Sequence, residues 1–219
     1  MPARAVVLPA TPLLVPGAGG GADRLGEVRR AVDGALDRLV TAAPSGDGPL
    51  VVLAPVPRGA GGRLGRLRPS LAGAGVADRW VPAVAAWPDP RGEAAHVPAS
   101  VALVALRSAL DRAGLEADVA VVEVVADGPG DDARAALARA CAVVVAGGAV
   151  PGTPGAAADP GAEGAPVLAP AVRAALDAAA APGAWAWQVT DVPGGHEHLP
   201  ASYAVAEGEA VEADRPVRA

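Results

Sequence analysis

The sequence predicts one α/β domain, with a mostly parallel central sheet covered by helices on both faces. Two observations carry that prediction. Short Val- and Leu-rich runs bounded by Gly and Pro alternate with longer stretches of helical period. This is the pattern of strands buried on both faces and joined by crossover helices. The length of 219 residues suits a single domain, which buries roughly 70% of its unfolded surface and needs no staples.

The elements follow in order. Ala5–Leu8 is a short apolar strand, succeeded by a turn with Pro9, Pro12 and Pro16 and by the glycine run Gly17–Gly21. A helix is expected from about Asp23, its cap, to Thr41, because Leu25, Val28, Val32, Leu36 and Leu39 recur at helical spacing. Leu50–Ala54 reads as the second strand and Trp80–Val84 as a weaker one. Pro98-Ala99-Ser100 opens the next helix and Gly114 stops it. Val119–Val125 and Ala142–Ala146 are strands flanking a helix over Asp131–Ala140. Val167–Ala181 is a last helix, ended by Pro182-Gly183, and Tyr203–Ala206 a last strand. The domain is expected to span 1–206, and the acidic stretch 207–219 to be a solvated tail. Three long loops, Pro55–Gly75, Ala86–Val97 and Gly147–Pro166, break the rhythm. Trp185 and Trp187 straddle Ala186; in a strand both face one side and anchor the core.

Composition narrows the function. The chain has no Lys, Ile, Asn or Phe, so all 18 basic residues are Arg. That usage points to a GC-rich genome, and it leaves Val, Leu, Ala and four Trp to build the core. A net charge of −6 argues against a nucleic-acid partner, which requires a basic field. The single Cys141, in an apolar strand entry, excludes an internal disulfide and fits a reducing cytoplasm. No signal peptide is evident, and no apolar run approaches the ~20 residues of a membrane span. The expectation is a soluble cytoplasmic protein without a membrane partner.

The stretch VVLPATPLLVPGAGGGADRL (6–25) resembles the amino-terminal end of proteins related to the B subunit of class III extradiol ring-cleavage dioxygenases. PASVALVALRSALDRAG (98–114) and SYAVA (202–206) resemble later segments of that family, and GAPVLAPAVRAALDAA (164–179) is similar to its small actinobacterial relatives. The resemblance implies the dioxygenase B-subunit-like fold over most of residues 5–206. It also implies a site in which two His and a Glu hold ferrous iron for catechol and dioxygen. Carried over residue by residue, the first His falls at Ala10 or Thr11, within Pro9-Ala10-Thr11-Pro12. The second falls in Pro55-Val56-Pro57-Arg58. An alanine methyl has no lone pair, so the iron site is expected to be lost and no cofactor to be held. The implied function is that of a degenerate relative acting as a binding or scaffold protein. Its ligand cleft would lie at the carboxyl ends of the strands, around Ala10, Thr11, Arg58, Gly147 and Gly148. The partner is an unidentified small molecule or protein, a second copy of the chain included.

Three further patterns compete. His196-Glu197-His198, with His96 as the remaining imidazole, has metal-ligand chemistry, because residues two apart in extended backbone point the same way. This is the alternative reading: a metal-dependent oxidoreductase or hydrolase, using Fe(II) or another divalent ion at a relocated site. Against it, Gly194-Gly195 and Pro200 mark a surface loop. The glycines Gly17–Gly21 formally match a dinucleotide fingerprint, but the prolines separate them from the first strand, so a flexible entry to the helix is the better reading. The loop arginines Arg58, Arg63, Arg66 and Arg68 suit an anion, yet read more simply as surface charge.

Overall fold

The computed structural model describes residues 4–20, 23–43, 48–147, 165–180, 184–194 and 199–211. In chain order the strands are β1 (Arg4–Leu8), β2 (Leu50–Pro55), β3 (Arg63–Gly65), β4 (Val119–Val124), β5 (Ala142–Ala146), β6 (Ala184–Pro193) and β7 (Ser202–Val211). The helices are α1 (Gly26–Ala42), α2 (Pro82–Ala85), α3 (Val97–Ala113), α4 (Asp131–Ala138) and α5 (Pro170–Ala180). Short 3₁₀ turns occupy Pro12–Leu14, Ala72–Ala74 and Asp78–Trp80.

All seven strands form one sheet in the order β3-β4-β2-β5-β1-β7-β6. The four strands β4, β2, β5 and β1 are parallel. Both flanks are antiparallel: β3 on β4, β7 on β1, and β6 on β7. The sheet is therefore mixed rather than mostly parallel. The reason lies in the connections. The parallel strands are linked through helices, whereas β6 and β7 follow one another directly and close as a hairpin, with Gly194 N–H donating to the Ala201 carbonyl.

The core has two layers, one on each face of the sheet. Val6, Leu8, Val52, Ala54, Val121 and Val144 pack against α1 and α3. Val7, Val51, Leu53, Val122, Val143 and Val145 pack against α4 and α5. Alternate residues of one strand thus enter opposite layers, and the uninterrupted Val/Leu runs follow from burial on both faces.

Several boundaries differ from expectation. α1 begins at Gly26, not at Asp23, whose carboxylate lies beside that first turn and pairs with Arg29. Trp80–Val84 is no strand: it is the end of a 3₁₀ turn and the start of α2, with Pro82 in the first helical turn. Proline fixes φ and lacks the N–H a ladder needs, so the site suits a helix start. β7 continues through Glu207 to Val211, so the first residues of the expected tail belong to the sheet. Glu207 there meets Arg38, and Glu209 lies 3.7 Å from Arg4. Trp185 and Trp187 do lie in a strand, with ring centroids 5.5 Å apart, and the Trp185 indole N–H donates to the Leu176 carbonyl. No helix among the described residues is long and apolar enough to cross a membrane.

Candidate functional site

The carboxyl ends of the parallel strands supply most of the expected cleft residues. Ala10 packs on the α1/α3 layer, and the Thr11 hydroxyl accepts from Leu13 N–H to cap the 3₁₀ turn. Arg58 stands exposed in the turn closed by Ala60 N–H on the Pro57 carbonyl. Gly147 donates to the Leu8 carbonyl and has φ +109°, where a Cβ would approach the Pro55 ring to 3.3 Å. Here β1, β2 and β5 close on one another through backbone and proline. Gly148 and His196-Glu197-His198 lie outside the described residues.

His96 is the expected ligand whose surroundings are informative, because it meets a residue that the strand pattern hid. Glu123 sits in β4 between Val122 and Val124, and its side chain is fully buried. Register pairs it with Ala54 of β2 and Arg63 of β3. It faces the same layer as Val121, the side of α3. Because α3 precedes β4 and runs back across the sheet, its amino end arrives at the carboxyl ends of the strands. His96 is the residue that caps that end.

The geometry is specific. Glu123 Oε1 accepts the His96 backbone N–H at 2.7 Å, and Oε2 lies 2.9 Å from His96 Nδ1. Arg63 Nε donates to Oε2 at 2.6 Å, and Arg63 Nη2 lies 2.6 Å from the same Nδ1. Arg63 Nη1 donates to Glu93 and to the Ala94 carbonyl. Burial disfavours the Arg63 charge, but its bonds to Glu93 and Glu123 outweigh this and hold its pKa above the ordinary arginine value. A guanidinium fork and an imidazole thus surround one buried carboxylate, which satisfies a charge that would otherwise be costly in the core. The imidazole is held by Nδ1. Its Nε2 makes no hydrogen bond among the described residues, and the side chain is 27% exposed.

A second polar group braces the loop that leads to His96. Asp78 accepts from Ser70 Oγ, Leu71 N–H and Arg68 Nη1 at 3.0, 2.9 and 3.1 Å. The buried Ser100 Oγ of α3 accepts from Ser70 N–H and donates toward the His96 carbonyl. Arg68 is joined to residues 93–95 through Glu93 and Ala95 backbone bonds. The loop arginines therefore divide. Arg63 and Arg68 are internal ties, and they are not free for an anion.

A shallow pocket of about 210 Å³ opens beside the loop after β1, with Leu13, Val15, Gly17, Gly19, Arg24 and Arg29 in its wall. Arg29 is committed to Asp23 and the Leu13 and Leu14 carbonyls. Gly17, Gly19 and Gly20 lie between a 3₁₀ turn and α1, and the Asp23 carboxylate lies beside Gly26 at the helix start, paired with Arg29.

The donor set does not fit the iron site implied by the resemblance. Position 10 offers a methyl and the loop after β2 offers a guanidinium, Arg58, and neither has a lone pair to give a metal. Among the described residues no three His, Cys, Asp or Glu side chains are grouped to share a metal ion. No protein-family model and no curated protein matches this chain.

Proposed function

We propose that this protein is a degenerate extradiol-dioxygenase-like binding protein. In this reading it receives a small molecule at the carboxyl ends of the parallel strands, beside β2 and β4 where His96 and Glu123 lie, without iron-dependent ring cleavage. One observation supports the reading: buried Glu123 fixes His96 by both its backbone N–H and Nδ1, and Nε2 of the partly exposed ring makes no hydrogen bond among the described residues. A carboxylate that orients an imidazole sets the atom's position in advance, which lowers the cost of binding a phenol or acid.

The test uses a catechol carboxylate as probe, with and without anaerobic ferrous loading. The expected result is a shift of the His96 ring resonances when the probe is added and weaker calorimetric binding of the probe by a folded His96→Gln variant, with no oxygen uptake after air is admitted. Ring opening with ferrous iron would overturn the loss of chemistry. An unmoved His96 across a panel of small phenols and carboxylates would overturn the binding role.

The alternative, a relocated metal site with His196, Glu197 and His198, draws support from the same pair. Metal-binding imidazoles commonly give their second nitrogen to a carboxylate. It requires one tightly bound divalent ion per chain, lost in the His196→Ala/His198→Ala double variant. Metal retained in that variant would dispose of it.

A further inference from the structure

The two edges of the sheet are built in opposite ways. β3 is three residues long, begins at Arg63 and ends at Gly65, so it offers little for another strand to pair with. β6 at the other edge has ten residues, paired to β7 without a bulge from Ala184–Val211 to Pro193–Ser202. From Ala184 to Thr190 it contains no charge and no proline; Asp191 and Pro193 come only at its end. Natural edge strands are usually short, charged, bulged or interrupted by proline. β6 has none of these protections over seven residues, and its outer backbone edge has no strand beside it among the described residues.

We propose that two copies of this chain join through β6, antiparallel across a two-fold axis at Trp187, so that their sheets become continuous. The sequence of β6 is self-complementary in that register. Trp187 meets its own copy, Trp185 meets Val189, Ala186 meets Gln188 and Ala184 meets Thr190. Aromatic and β-branched partners then share one face and small or polar partners the other, the pairing that stabilises antiparallel strands. The only charged residue of β6, Asp191, falls beyond the paired stretch and opposes no like charge. The tryptophans are already arranged for this. Trp187 lies flat over Gly208, and Trp185, Trp187 and Val189 are each only partly covered by their own chain. A neighbouring strand would cover the remainder. The contact consumes the edge on both copies, so association stops at a dimer.

Sedimentation equilibrium of the full chain reads this directly. The expected mass is twice the 21.3 kDa chain, falling to one chain in Ala186→Lys/Gln188→Lys, which sets four positive charges around the axis. Circular dichroism and thermal unfolding check that the variant is folded. A monomeric wild type at micromolar concentration would overturn the proposal, as would a folded variant that stays dimeric. The register is tested separately in a Cys141→Ser background. Chains carrying Ala186→Cys and Gln188→Cys, mixed and oxidised, should cross-link to each other faster than either does to itself, because directly opposite residues meet disulfide geometry. Equal rates would overturn the Trp187-centred register.

Discussion

Glu123 takes a charge into the interior, and the residues around it explain why the fold accepts it. One hydrogen bond from Arg63 Nε, an ion-pair contact from its Nη2 and one hydrogen bond from the His96 backbone reach a carboxylate that has no exposed surface. The signal for this was present in the sequence: one acid inside the apolar run VAVVEVV (119–125). Its partners were not legible, since Arg63 and His96 are 60 and 27 residues away in the chain. Asp78 poses the same problem nearer the surface and yields a measurable consequence. Burial pushes its carboxyl up, but Leu71 N–H, Arg68 and Ser70 together hold it below the ordinary aspartate value. A group whose pKa is lowered by folding contributes stability above its unfolded pKa, and that contribution disappears as pH falls through the folded value. Asp78→Asn should therefore cost about 2 kcal/mol at neutral pH, the scale of hydrogen bonds to a charged group. The gap between variant and wild type should close as the medium is acidified below about pH 4. Urea unfolding of both proteins across that range measures it; a gap independent of pH would show that the carboxylate charge is not what Arg68 and Ser70 stabilise.

Among the elements, those buried on both faces were the most legible. β1, β2, β4 and β5 each match an apolar run to within one residue, because a strand covered on two sides admits few polar residues. α3 was equally clear, with Pro98 near its start and Gly114 in the left-handed conformation at its end, φ +64°. The half-exposed elements were hidden. β3 has only three residues, and the second half of β7, from Glu207 on, looks like an acidic tail until Arg38 and Arg4 are found beside its glutamates, whereas its first half matches the expected strand Tyr203–Ala206. Gly208 within β7 would ordinarily weaken a strand, and its neighbour explains it: a Cβ there would fall 2.5 Å from the Trp187 ring. Gly208→Ala should accordingly destabilise the protein by about 1–3 kcal/mol through overpacking. Adding Trp187→Val should recover part of that loss, giving a coupling energy in a double-mutant cycle. Additive effects would mean that the ring moves aside without cost.

At the scale of the whole molecule, a single sheet supports two apolar layers that do not touch. Leu36 on α1 and Leu176 on α5 are each fully buried, in opposite layers. Every central strand sends alternate residues into both, so neither layer can lose its helices without exposing one face of the same strands. The core is built mainly from Val, Leu and Ala, and its small side chains leave the helices close to the sheet with little freedom to collapse into a vacated volume. Leu36→Ala and Leu176→Ala should therefore each cost about 2–5 kcal/mol, toward the upper part of that range. Separation by the sheet makes the two losses additive to within about 0.5 kcal/mol. The shared strands nevertheless make unfolding one event. Calorimetry of either variant should show a single transition at lower temperature, with the same midpoint from far-ultraviolet dichroism, which reports the helices of both layers, and from tryptophan fluorescence in a Trp80→Tyr/Trp87→Tyr background, where Trp185 and Trp187 on the α5 face are the remaining reporters. A Leu36→Ala variant in which the fluorescence midpoint stays at the wild-type value while the helices melt early would separate the layers into independent units. The continuous register from β4 through β1, which both layers share, is the reason to expect one transition.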